Sequence, residues 1–337
     1  MRKIIDAAKK AKITAIIASD ISAIEYANKK KMEVHISVQA NVSNIEAVKF
    51  YSKYSDVIVL ARELTLEQIK YIIDEIKKQK ITGPSEKLIE IEIFAHGTLC
   101  VSISGKCYMS LAAYNSSANR GSCFQNCRRT YKVIDEETGD ELVIGNKYVM
   151  SPKDLCTIGF LDKILDAGVS ILKLEGRGRA PDYVATVTKC YKEAIISHKN
   201  KTYSKQKIKN WMKELKTVYN RGFWEGGYYL GKKLGDWSGT YGSKATKEKI
   251  QVGKVNNYYK KSKIAEIKIE TREIKQRDEL LITGSTTGVE KEKIKEIWLD
   301  NKKVKSAGKS KIITIKFNKL LRKSDKVFVL KKIKNEN

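Results

Sequence analysis

The chain has 337 residues, 42% hydrophobic and 31% charged, enough to bury a full core and to form two domains. Its 66 lysines and arginines against 39 aspartates and glutamates leave a net charge of +27, which favours polyanionic partners, nucleic acid first. No apolar run is long enough to span a bilayer and the N-terminus carries no apolar signal core, which excludes a helical membrane protein and predicts a cytoplasmic one, where disulfides are rare.

Residues 2–12 read as a helix and 13–19 as a short buried strand, with Asp20 placed to cap the helix at 21–31. A strand at 33–38, a helix at 44–54 and a strand at 56–61 follow. Residues 63–80 form an amphipathic helix with Thr65 as its N-cap. After the Gly83-Pro84 break comes a strand at 89–95. This alternation predicts parallel βαβ units. The Ser-, Asn- and Gly-rich segment 96–130 interrupts it and reads as loop and short helix. A hairpin is expected over 131–144, around Thr138-Gly139-Asp140. Residues 153–166 read as a helix with Asp154 in its first turn. A strand over 168–179 runs into a polar loop, and helices follow at 181–199 and 205–220. The aromatic, glycine-rich stretch RGFWEGGYYLGKK is irregular. From about 246 short strands alternate with turns and Lys-rich loops, as in a small antiparallel β-barrel. The domains are therefore expected at 1–242 and 243–337.

Four thiols, Cys100, Cys107, Cys123 and Cys127, lie within 28 residues, and Cys156 follows. None of the spacings is the tight pair of a zinc finger. Wide spacing from loops suits an iron–sulfur cluster, while zinc and unligated thiols remain alternatives. Cys190, on a helix with no thiol nearby, reads as a small core residue. His96, four residues before Cys100, is either the base of a Cys–His pair or a histidine that ends a buried strand. Lys173, Glu175 and Arg177 alternate, so in a strand they share one face. At the C-terminal end of a parallel strand they stand where barrel enzymes place active sites. Gln39, Arg62 and Glu63 follow earlier strands in the same way. Arg128 and Arg129 are placed to bind an anion or to screen a cluster's charge.

Glu92, Phe94, Gly97, Cys100, Cys107 and Ser110 together resemble the signature E-x-F-x-x-G-x-x-C-x6-C-x-x-S of peptidase family U32, the collagenase-like proteases. The likeness continues through NRGSCFQNCRRTY, SPKDLC and KLEGRGRAPDYVATVTKCYKEAI, and covers roughly residues 1–240. The family name implies a peptidase. Members also include tRNA wobble-uridine hydroxylases, a ribosomal-RNA cytidine hydroxylase and ubiquinone-hydroxylation proteins that carry a 4Fe–4S cluster on four cysteines. By position, that ligand set is similar to Cys100, Cys107, Cys123 and Cys156, with Cys127 the alternate. The resemblance implies an α/β fold: a partial TIM-barrel-like (β/α) domain with a cysteine-rich insertion, then the small β-barrel. The five parallel strands correspond to the last five of eight. The chain thus reads as lacking the first βα units, with a partner subunit completing the barrel. The implied function is an iron–sulfur enzyme that hydroxylates the wobble uridine of tRNA. Lys173, Glu175 and Arg177 would line its pocket near His96, and the β domain would grip tRNA. The alternatives are a peptidase, with Cys100 or a metal-bound water as nucleophile and His96 or Glu175 as base, and a non-catalytic RNA-binding or cluster-carrying subunit.

Overall fold

Apolar alternation and helix caps lay down the first elements in sequence order. The computed structural model describes residues 1–103, 106–116, 122–129, 131–142, 151–176, 178–226, 228–231, 237–239 and 242–333. The chain forms two compact units, one of Met1–Glu175, Tyr191–Trp211 and Asn220–Ser243, the other of Gly176–Cys190, Met212–Tyr219 and Lys244–Asn337.

The first unit opens with α1 (Arg2–Lys10), β1 (Ala15–Ala18), α2 (Ile21–Lys29), β2 (Glu33–Ile36), α3 (Ile45–Ser52), β3 (Val57–Val59), α4 (Leu66–Lys78) and β4 (Glu90–Gly97). Asp20 caps α2 by accepting from the Ala23 N–H at 2.9 Å, and Asn44 caps α3 from the Ala47 N–H at 2.9 Å. At α4, Thr65 and Gln68 form a reciprocal capping box. The strands pair in parallel in the order β1-β2-β3-β4. One sheet face carries Ile36, Ile58, Leu60, Ile91 and Ile93, all buried.

The chain then passes through α5 (Met109–Tyr114) and the hairpin of β5 (Val133–Ile134) and β6 (Glu141–Leu142). Residues 143–150 lie outside the described residues. β7 (Asp154–Cys156), α6 (Leu161–Asp166) and β8 (Ile171–Leu174) follow. β8 pairs in parallel with β4, and β7 pairs antiparallel to the end of β4, His96 opposite Cys156. α7 (Pro181–Lys199) and α8 (Lys205–Leu215) each carry residues of both units. β9 (Phe223–Trp224) then pairs in parallel with β7. The helix expected over 153–166 is therefore a strand followed by a shorter helix. Asp154 is not in a helix turn; it accepts from the Arg221 N–H at 3.0 Å, and its own N–H donates to the Gly222 carbonyl. The helix expected to reach 220 ends at Leu215.

Among the described residues β1 pairs with β2 alone, and Ile17 on β1 is 57% exposed. Among the described residues the sheet of the first unit is thus open, mostly parallel, with β1 at one end and β9 at the other. No helix of the described residues is long and apolar enough to cross a membrane.

The second unit contains β10 (Lys247–Tyr259), β11 (Ile264–Ile269), β12 (Ile274–Lys275), β13 (Glu279–Gly284), β14 (Gly288–Lys293), β15 (Ile297–Leu299), β16 (Lys302–Val304), β17 (Ser306–Ala307), β18 (Ile312–Lys316) and β19 (Lys326–Lys332). Eight of these form one antiparallel sheet in the order β14-β13-β19-β10-β11-β18-β15-β16, and β12 pairs with β17. Its core gathers alternate residues, among them Val255, Ile267, Leu280, Ile313 and Val327. The antiparallel β region that the strand pattern suggested is present, and its end strands β14 and β16 pair with one neighbour each.

Thr65→Ala removes one half of the capping box. It should lower the stability of the α4 region by about 1 kcal/mol in urea unfolding, with Thr65→Ser close to wild type.

Candidate thiol centre and active site

The thiol segment leaves the end of β4, and the geometry there is exacting. Gly97 sits at φ +119°, and a Cβ at this position would stand 2.6 Å from the Glu175 carbonyl oxygen. Glycine is required both for the backbone conformation and for the close approach of the chain after β8. The Glu175 N–H donates to the His96 carbonyl at 2.8 Å, and the Glu175 carboxylate accepts from the Thr98 N–H at 3.3 Å. Glu175 thus ties the end of β8 to the start of the thiol segment.

Three buried arginines reach that segment from different elements. Arg62, just after β3, donates to the Ser102 carbonyl at 3.2 Å. Arg128 donates to the Leu99 carbonyl at 2.7 Å, to Ser151 Oγ at 2.9 Å and to the Pro152 carbonyl at 2.5 Å. Arg221 donates to Gln125 Oε1 at 3.3 Å and lies 3.7 Å from the Asp154 carboxylate. Sequence reasoning assigned Arg128 to anion screening. Here it is also a strut that joins the two ends of the segment. Arg221, which opens the stretch RGFWEGGYY, was not expected at the thiol segment.

None of the six cysteines is in a disulfide among the described residues; Cys123 is exposed, Cys100, Cys107 and Cys127 half-buried, and Cys156 and Cys190 buried. Burial pushes the Cys127 thiol up from its ordinary range; Arg128 pulls it down, and Cys100, Cys123 and Cys107 each push it up further. Those four thiols therefore share one electrostatic neighbourhood. The Ser102 N–H points at Cys100 Sγ and the Gln125 N–H at Cys123 Sγ, both at 3.4 Å. Cys156 instead bears on the Tyr191 and Tyr203 hydroxyls. Among the described residues no three Cys, His, Asp or Glu side chains stand together closely enough to hold one metal ion. A multi-iron cluster is broader than an ion and takes its thiolates at separate corners, and amide donors to sulfur with buried cations nearby suit its negative charge. The donor set of Cys100, Cys107, Cys123 and Cys127 fits that group.

The other expected site residues are spread over two places. His96 is buried at the end of β4, its ring against Tyr191 and Phe223. The Tyr191 hydroxyl donates to the Ala95 carbonyl at 2.8 Å, accepts from the Thr157 N–H at 3.0 Å and lies 3.3 Å from His96 Nδ1. Burial lowers the His96 pKa from 6.5 to about 3. No hydrogen bond joins His96 to Cys100 among the described residues, so the Cys–His nucleophile pair is not assembled. Lys173 pairs with the buried Glu92 at 2.6 Å, and His35 Nδ1 lies 3.7 Å from the same carboxylate. Lys173 and Arg62 both stand over the Phe94 ring, at 5.7 and 5.6 Å. Arg177 lies outside the described residues. Gln39 accepts from Ser19 Oγ at 3.4 Å, away from the thiols in sequence and bonding.

A cavity of about 320 Å³ opens beside Cys100, walled by Glu63, Val101, Tyr228 and Trp237. Burial raises the Tyr228 hydroxyl pKa, and Arg62 lowers it. Glu63 follows β3 as its place in the sequence suggested, whereas Tyr228, from the stretch RGFWEGGYYLGKK, and Trp237 beyond it were not expected there.

A histidine buried neutral must charge when the chain unfolds in acid. Its contribution to stability is complete above pH 6.5 and falls as the pH drops toward about 3. Between pH 6.5 and 5 the loss is about 2 kcal/mol. Urea unfolding of His96→Gln should show a pH dependence smaller by that amount over the same interval.

The sequence pattern of peptidase family U32 matches residues 1–239. A collagenase of Porphyromonas gingivalis is 52% identical over 328 residues, 97% of this chain and 79% of that protein. A tRNA hydroxylation protein of Bacillus subtilis is 33% identical over 218 residues, 63% of this chain and 49% of that one. A 23S rRNA 5-hydroxycytidine synthase of Escherichia coli is 36% identical over 184 residues, 54% of this chain and 26% of that one. The signature residues that meet at the end of β4 and the match across both halves of the first unit agree: the chain belongs to peptidase family U32.

Proposed function

We propose that this protein is an iron–sulfur enzyme of RNA modification that hydroxylates the wobble uridine of tRNA. The observation that carries the reading is the segregation of four thiols with three buried guanidinium groups. Arg128 acts directly on Cys127, and a guanidinium beside a group of thiols suits the negative charge of a cluster. Cys100, Cys107, Cys123 and Cys127 would hold the cluster, and we assign Cys127 rather than Cys156 as the fourth ligand. Cys156 is retained as a buried strand residue beside Tyr191. When bound, the cluster supplies one-electron redox chemistry.

The chain's own groups do the rest. The aromatic cavity beside Cys100 is of a size and polarity for a single base, with Trp237 and Tyr228 as walls and Glu63 as acceptor. Lys173, fixed by Glu92, presents a cation at the sheet face next to Arg62 and Phe94. His96 acts as packing rather than as base, since its proton is lost far below neutral pH. The open sheet of the first unit is read as the later part of a TIM-like barrel. Further βα units, from a partner subunit or from chain beyond this sequence, would cover Ile17 and the edge of β1. The basic second unit would meet the tRNA backbone.

The collagenase name of the 52% identical relative favours a second reading, peptide hydrolysis. The buried His96, its pKa lowered to about 3, is a poor base for that chemistry.

Anaerobic purification should yield a brown protein with about four iron and four sulfide per chain. Cys100→Ser, Cys107→Ser, Cys123→Ser and Cys127→Ser should each lose iron and visible absorbance, while Cys190→Ser keeps both. Iron retained in Cys127→Ser but lost in Cys156→Ser would reassign the fourth ligand. A colourless protein with stoichiometric zinc would defeat the cluster. Nucleoside mass spectrometry of tRNA from a deletion strain should show loss of hydroxylated wobble uridine. Unchanged tRNA together with gelatin turnover by the purified protein would favour the peptidase.

A further inference from the structure

We propose that the outer face of the eight-stranded sheet in the second unit is a platform for single-stranded RNA. Residues 244–337 carry 27 Lys and Arg against 12 Asp and Glu, a net +15 and more than half of the whole chain's excess. Charge alone is diffuse, and the strand register gives it a pattern. β10, β11, β18, β15 and β16 are neighbours in that order. Adjacent strands are about 4.8 Å apart, so these five span about 19 Å.

Directly opposed residues share a face. One row across the strands reads Lys326, Lys254, Lys268 and Ile312. A second reads Glu266, Thr314, Trp298 and Lys303. A third reads Tyr259, Ile264 and Lys316. The residues that alternate with these, Val255, Ala265, Ile267, Ile297, Ile313 and Ile315, are all buried in the core. All three rows therefore face outward. Trp298 is 41% exposed, Tyr259 46% and Ile312 46%.

Two aromatic rings and an isoleucine on one outward sheet face are costly to leave in water and invite association. Lysines on the same rows restrict what can cover them. Lys254 pairs with Glu270 and Lys303 with Glu296, whereas Lys268, Lys316 and Lys326 make no ion pair among the described residues. Glu266, the carboxylate inside the patch, accepts from the Tyr259 hydroxyl at 3.3 Å and from the Asn256 amide. Its acceptor capacity is thus turned to holding the tyrosine ring in place. Aromatic faces interleaved with cations suit a polyanion whose bases are unstacked and free to lie on the rings. A duplex hides those faces, and an acidic peptide has no flat groups for them. The choice of RNA rests on the tRNA reading above; the surface itself rests on register and exposure.

The test uses the full-length chain and a labelled oligouridylate of about twelve nucleotides, with an RNA duplex of equal length and heparin as comparators. Trp298→Ala and Tyr259→Ala should each weaken oligouridylate binding at least about fivefold, with Trp298→Phe close to wild type. The pair Lys268→Glu and Lys316→Glu should reduce the slope of log affinity against log salt by about 1.4 or more. Heparin binding should fall with the lysine changes and not with the aromatic ones. Oligouridylate binding unmoved by either aromatic change would overturn the proposal, as would duplex bound as tightly as the single strand. If the deletion strain keeps its tRNA nucleosides while these variants lose oligouridylate binding, the hydroxylase reading falls and the platform stands.

Discussion

Burying a guanidinium costs several kcal/mol unless every face of it finds an acceptor. The first unit buries three, Arg62, Arg128 and Arg221, each bonded to the thiol segment or part of it. The acceptors are mostly main-chain carbonyls, which belong to fixed positions rather than to mobile side chains. A loop rich in Ser, Asn and Gly has little apolar surface with which to hold itself. Here its shape is set from outside, by cations anchored after β3, beside Cys127 and before β9. Arg128 also acts on Cys127, so one of the groups that hold the loop bears on its thiols as well.

β4 is the second constraint. It pairs with β3 along one stretch, with β8 along another and with β7 at its end. Its side chains therefore serve different neighbours in turn. Glu92 faces Lys173 and His35, Phe94 lies under two cations, and His96 closes against Tyr191. Gly97 then allows the chain to leave where any other residue would meet Glu175. The family signature from Glu92 to Cys107 is thus a run of separate local demands, which explains why it is dense and why His96 can be prominent in sequence and yet structural.

The two units differ in how they manage exposed apolar groups. In the first, Ile17 and the unpaired edge of β1 stand open at the end of a parallel sheet. In the second, the exposed rings sit in a field of lysines on a face whose reverse side is a complete core. Lysines disfavour edge-to-edge aggregation while leaving the surface available to a polyanion.

The sequence by itself determined the local elements of residues 1–97. Period-two and period-3.6 patterns and the caps Asp20, Asn44 and Thr65 act over a few residues and need no distant partner. It also placed Cys190, a lone thiol on a helix, in the core, where the structure buries it. The tertiary structure alone decided the rest. Asp154 reads locally as the first turn of a helix, but pairing with a strand nearly seventy residues later makes it β, since backbone groups in a buried strand must be satisfied wherever their partners lie. His96 changes from candidate base to buried neutral ring because desolvation depends on what packs around it. Arg128 and Arg221 become struts only when segments distant in sequence meet. Trp298 and Tyr259 look unremarkable along the chain and become neighbours of one face only through strand register.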